Sequence, residues 1–247
     1  MRTVAIGLMV AYHIAYDVHM LAPQVALDPF DGAWRALQVT CASTFLAVVG
    51  TSFWIADQRG RSRGLSGAAL WRRHARRGLE VLAAALLVSL ATLVALGAED
   101  AVRFGILHLI ATAMLIVLPL TVRLGVWNGV LGAGAIAVGL VLFQTGGDVP
   151  SAALLLGFDP GATPGVDWYP LLPWIGASLL GVAIGAVLYP DGQRGPLLRR
   201  LVRAPRGADL AGAPGRHSLP IYLVHQPVLI VLMATILALT GTELDWP

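Results

Sequence analysis

Residues 3–22 read TVAIGLMVAYHIAYDVHMLA, and this stretch decides the fold. A run of about 20 mostly apolar residues matches a hydrocarbon core roughly 30 Å thick. In lipid every backbone N–H and C=O must be satisfied within the segment, so such a run has to be helical. His13, Asp17 and His19 stand where a signal peptide would carry its small-residue cleavage site, so the segment reads as a retained helix.

Similar runs recur at 34–56, 78–98, 104–122, 126–144, 171–189 and 217–240. The chain of 247 residues is 57% hydrophobic and only 13% charged, with a mean hydropathy of +0.74. Water-soluble domains carry roughly 25% charged residues. A membrane β-barrel would show alternating segments of about 10 residues, and none is present in the sequence. The expected class is therefore all-α: a polytopic membrane helix bundle of about seven transmembrane helices, forming a single domain over 1–247. The turn TVRLGVWNG at 121–129 predicts a hairpin between the fourth and fifth spans, and Pro119 predicts a kink or an end just before it.

All 17 basic residues are arginine, and their placement sets the orientation. With a cytoplasmic N-terminus, the second–third loop carries Arg59, Arg61, Arg63, Arg72, Arg73, Arg76 and Arg77. The sixth–seventh loop carries Arg194, Arg199, Arg200, Arg203, Arg206 and Arg216, and Arg2 and Arg123 fall on the same side. Arg35 and Arg103 are left outside, with Asp28, Asp31, Glu99, Asp100, Asp148, Asp159 and Asp167. This is the positive-inside pattern of a multi-pass protein of the cell inner membrane. The net charge of +3 thus reflects topology, and no nucleic-acid partner is expected. Cys41 is the single cysteine, which excludes a disulfide framework.

Ionisable groups inside spans are costly and mark functional sites. His13 and Asp17 share a helical face at i and i+4, where a carboxylate can hold an imidazole as a general base or glue two helices together. His108 sits about one turn into the fourth span, at a depth that matches Asp17, and reads either as hydrogen-bonded structure or as part of the site. The last span opens HSLPIYLVHQP, 217–227, with Tyr222 and His225 inside and Pro227 freeing a backbone carbonyl. His19 reads as an interfacial or substrate-contacting group. Asp167, in DWYPLLPWIG at 167–176, reads as a rim residue able to touch a polar acceptor, beside an aromatic belt of Trp168, Tyr169 and Trp174. The long segment 145–170 is either a lid or an irregular connection. No metal-ligand spacing is present, so no metal is expected. The arginines of WRRHARRG, 71–78, are either topology determinants or a phosphate-binding set.

Taken in order, RTVAIGLMVAYHIAYD, TFLAVVGTSF, WRRHARRG, RFGILHLIA, DWYPLLPWIG and HSLPIYLVHQP resemble bacterial relatives of heparan-alpha-glucosaminide N-acetyltransferase, a transmembrane acyltransferase family. The resemblance implies an acetyl or acyl group taken from cytoplasmic acetyl-CoA or another acyl-CoA. The acceptor would be a small molecule or glycan with a hydroxyl or amine, at the outer face. It implies His13, Asp17, His108 and His225 as the catalytic set and Arg2, Arg72, Arg73, Arg76 and Arg77 as coenzyme A contacts. His19, Asp167 and Tyr222 would touch the acceptor. The expected partners are the lipid bilayer and, as a homodimer, a second copy of the chain. The competing reading is a proton-coupled transporter that uses the same His and Asp groups as a relay.

Overall fold

In a computed structural model, residues 2–145, 150–158, 165–201 and 212–240 are described. Asp148, Asp159, Arg203 and Arg206 of the loop assignment lie outside them. The described residues are helical or irregular, with no strand among them. In chain order the helices are α1 (Arg2–Leu21), α2 (Gly32–Arg61), α3 (Gly67–Asp100), α4 (Ile106–Thr112), α5 (Leu118–Thr121) and α6 (Asn128–Gln144). They continue with α7 (Ser151–Leu154), α8 (Leu171–Leu188), α9 (Pro196–Leu201), α10 (Ala213–Arg216) and α11 (Ser218–Thr240). Six helical stretches are long and apolar enough to cross a membrane, the fourth of them being the continuous run Ile106–Gln144. The chain is a multi-pass membrane protein, and it divides into two compact units.

The first unit comprises Met1–Phe45 and Ala204–Pro247. The buried side of α1 carries Ala5, Ile6, Met9 and Tyr12, the i, i+3, i+4 spacing of one helical face. Ile6 and Met9 pack with Cys41, Ile221 and Tyr222, while Leu21 and Ala22 pack with Met233 and Leu237. The start of α1 therefore meets the start of α11 and the two ends meet likewise, so the helices run parallel. Cys41 closes this core, its thiol donating to the Ala5 carbonyl at 3.8 Å.

The second unit, Leu46–Arg203, is built on close helix contacts. A Cβ at Gly132 would lie 2.8 Å from the Gly176 carbonyl, and one at Gly139 would lie 2.5 Å from the Pro173 nitrogen. Small residues let α6 and α8 approach backbone to backbone, the usual packing where lipid removes the hydrophobic drive between helices. Those pairs run in opposite directions along the two helices, so α6 is antiparallel to α8. Ile106, at the start of α4, instead bonds Asp167 just ahead of α8. The run Ile106–Gln144 is thus two arms that reverse at Gly125, whose φ of +56° a side chain would disfavour. Asn128 fixes the corner by donating to the carbonyls of Thr121 and Gly125 at 2.9 and 3.0 Å.

Pro119 does not end its arm. The helix widens into a π turn over Ala113–Val117 and resumes as α5 with the proline in its first turn. A local change of helix type absorbs the missing N–H.

Candidate functional site

The first unit brings His13, Asp17 and His225 together, and adds Gln226 beside them. The two imidazoles meet edge to face with ring centroids 4.7 Å apart. His13 Nδ1 lies 2.8 Å from the Met9 carbonyl, and His225 Nδ1 lies 2.6 Å from that of Tyr222. A carbonyl oxygen only accepts, so each ring in its neutral form carries its proton on Nδ1 and leaves Nε2 with a lone pair. His225 Nε2 is buried and has no hydrogen-bond partner. Tyr12 and Tyr222 flank the pair, their rings 5.6 Å from His13 and 5.5 Å from His225 respectively.

Asp17 is 2% exposed and, of the two roles its spacing allowed, bonds across to another helix rather than to His13. The His13 ring folds back along its own helix to Met9, one turn away from the carboxylate. Asp17 Oδ1 accepts instead from the side-chain amide of Gln226 on α11. Asp17 Oδ2 and Gln226 Oε1 remain buried without a hydrogen-bond partner. The cluster therefore offers acceptors: two imidazole lone pairs, a carboxylate oxygen and an amide oxygen. Such a set can take a proton from an amine or hydroxyl, or carry an acyl group on nitrogen. Gln226 had only its neighbours to mark it in the sequence.

His19 lies in the last turn of α1. Its Nδ1–H donates to the Leu27 carbonyl at 2.8 Å and its ring meets Phe30 at 5.8 Å, pinning the turn that follows α1.

His108 and Asp167 belong to the second unit. The Gly105 N–H donates to His108 Nδ1 at 3.3 Å, so the proton of this neutral ring resides on Nε2. Nε2 lies 3.4 Å from Ser89 Oγ, which itself donates to the Val102 carbonyl at 2.6 Å. Both ring nitrogens thus serve the connection between α3 and α4. Asp167 accepts from the Ile106 N–H at 3.2 Å, at the same helix start. Burial pushes its carboxyl up to about 6, against the opposing pull of that N–H.

A further buried cluster escaped the sequence reading. Asp57, 2% exposed, accepts from Arg61 Nε at 2.6 Å and lies 3.4 Å from His74 Nε2. The His74 ring stacks on Phe53 at 4.2 Å. The i, i+4 spacing of Asp57 and Arg61 was the available signal, hidden because Arg61 was read only for topology.

Of the arginines assigned to coenzyme A, Arg2 opens α1 in the first unit, beside Gly215. The other four lie on the first turns of α3, exposed. Arg76 Nε is 3.3 Å from Glu80 and Arg77 Nη1 is 3.7 Å from it, with the two arginine side chains 85% and 66% exposed. Exposed guanidinium forks of this kind suit phosphate oxygens. Among the described residues no group of His, Cys, Asp and Glu could hold a metal ion.

No curated protein and no solved structure matches the chain. A family profile described as heparan-alpha-glucosaminide N-acetyltransferase, catalytic, matches residues 1–227. That span reaches from the start of α1 through the His225–Gln226–Pro227 turn and includes every side chain of the acceptor cluster. The chain belongs to the heparan-alpha-glucosaminide N-acetyltransferase catalytic family, a family of membrane acetyltransferases.

Proposed function

We propose that the protein transfers an acetyl or other acyl group from cytoplasmic acyl-CoA to a hydroxyl or amine of a sugar-like acceptor at the outer face of the cell inner membrane. The observation that carries this reading is the facing pair His13 and His225, each with Nε2 unprotonated. In the direct route, one Nε2 takes the acceptor's proton as its nitrogen or oxygen bonds the thioester carbonyl carbon. The carbon–sulfur bond breaks, and the thiolate of coenzyme A leaves with a proton. In the two-step route an Nε2 attacks the thioester carbonyl carbon and the carbon–sulfur bond breaks, releasing coenzyme A. The acceptor then takes the acyl group as the nitrogen–carbon bond breaks and the other imidazole removes the acceptor's proton. Tyr222 lies against His225 and is the proposed acceptor contact.

Arg2, Arg72, Arg73, Arg76 and Arg77 are the proposed phosphate contacts, supported by the exposure of the α3 set. The topology we propose has seven crossings with a cytoplasmic N-terminus, the whole chain acting as one domain. Its support is the parallel run of α1 and α11, which requires an odd number of crossings between them. Counting the two arms of Ile106–Gln144 separately supplies that number.

The deciding experiment measures acetyl-CoA binding and acyl transfer by purified wild type and by His13→Ala. Binding by both, with transfer by wild type alone, is expected. If neither binds acetyl-CoA while Asp17→Asn abolishes proton-linked solute flux in vesicles, the protein is a transporter and the proposal is wrong.

A further inference from the structure

Gln226 sits next to His225 and reaches across from α11 to α1, and its amide is the hydrogen-bond partner of Asp17 Oδ1. The donation uses the amide N–H and leaves Gln226 Oε1 buried with no partner. Asp17 Oδ2 is in the same position on the other side of the bond. A buried acceptor without a donor costs roughly 1–3 kcal/mol, and more when it is charged. Two of them on residues that already bond each other are not explained by helix packing. A packing role would be filled at lower cost by an apolar pair.

We infer that Gln226 is a positioning residue: by holding Asp17 Oδ1 it fixes the carboxylate, so that Oδ2 and its own Oε1 form a two-oxygen acceptor beside His225. The inference rests on the acyltransferase reading for the identity of the guest. A pair of acceptors takes a group that donates, an N–H or an O–H. At the reacting centre, where the thioester brings only a carbonyl oxygen and a sulfur, that is the acceptor's nucleophile. The thioester carbonyl and the phosphates of coenzyme A carry acceptors and are repelled from it. Gln226 then acts through Asp17 to orient the nucleophile whose proton a histidine removes.

The test uses the full chain in detergent, with acetyl-CoA and a panel of amine and hydroxyl acceptors. Gln226→Met keeps the length of the side chain and removes the donor. Its kcat should fall about tenfold, the worth of one hydrogen bond to a charged group. KM should rise for the acceptor and stay within about twofold for acetyl-CoA. In an Asp17→Asn background the same change should cost almost nothing more, because the two residues act as a unit. Gln226→Asn, which keeps an amide on a shorter arm, is the second variant if the first fails to fold, and an intermediate loss is expected. Equal losses in both backgrounds overturn the inference, as does full activity in Gln226→Met.

Infrared difference spectra of wild type against Asp17→Asn isolate the Asp17 carboxyl bands without turnover. Those bands should shift in Gln226→Met, and unshifted bands overturn the inference whatever the activity. Shifted bands in a protein that transfers no acyl group would uphold the positioning role and remove the acyltransferase reading alone.

Discussion

His225 and His108 are both buried histidines on apolar helices, one in each unit, and their hydrogen bonds are opposite in sense. His225 donates from Nδ1 to a carbonyl and keeps a bare Nε2. His108 accepts at Nδ1 and offers its Nε2–H to a serine that passes the proton demand on to a carbonyl. The first ring is left with unused basicity, and the second has both nitrogens engaged. Depth in the membrane does not tell the two rings apart; the completeness of their hydrogen bonding does.

The largest effect that would break this contrast concerns transfer. His225→Ala and His13→Ala should each lower acyl transfer by at least about 100-fold, the usual worth of a general base, with the folded state retained by circular dichroism and gel filtration. Near-normal turnover in both would mean that bare imidazoles in this fold are inert.

Next comes His108→Ala, expected to lose about 1–3 kcal/mol of stability through the orphaned Gly105 N–H and Ser89. Denaturant titration measures the loss. The molecules that stay folded should transfer at the wild-type rate. Unchanged stability with abolished transfer would place His108 with the reactive pair and dissolve the distinction.

A smaller effect sharpens the structural side of the comparison. Asp167 has its carboxyl raised from 3.8 to about 6 by burial, so its protonated form is the one the fold favours. Its contribution to stability is full below pH 3.8 and lost as pH rises through about 6. Asp167→Asn, which still accepts from the Ile106 N–H, should therefore melt closer to wild type at pH 4 than at pH 7, where the variant is the more stable. A constant difference across that range would exclude the burial effect.

The smallest change is expected from Arg76→Gln. An ion pair this exposed contributes within about 0.5 kcal/mol, so the melting temperature should hardly move. A loss of several-fold in acetyl-CoA affinity from replacing Arg72, Arg73, Arg76 and Arg77 together, with no loss of stability, would support the phosphate-binding role of this face.

Composition and arginine placement made the membrane class legible, because lipid leaves the backbone few alternatives. The set His13, Asp17, His108 and His225 was legible as unusual residues inside spans, and the first unit joins three of them, His13, Asp17 and His225. The proton positions were not, since they depend on which carbonyl each ring meets. The i, i+4 spacing left Asp17 open between holding His13 and joining two helices, because spacing along one helix says nothing of the donor on another, and Gln226 won that contact. Asp57 and His74 were obscured for another reason: each lies beside arginines that the positive-inside pattern already explained. His108 was legible only as a choice between two roles, on which the direction of its hydrogen bonds bears and its sequence does not.

The π turn at Ala113–Val117 is, in effect, an α-helix holding one residue more than its turns require. Beyond it Leu118 and Val122 are fully buried with Phe53, Ile175 and Leu179. Deleting one residue inside the turn would tidy the helix locally and rotate everything downstream by about 100°, carrying both side chains off the core. The surplus residue is therefore a phase-setter: sequences that tolerate almost any apolar substitution there should tolerate no change of length.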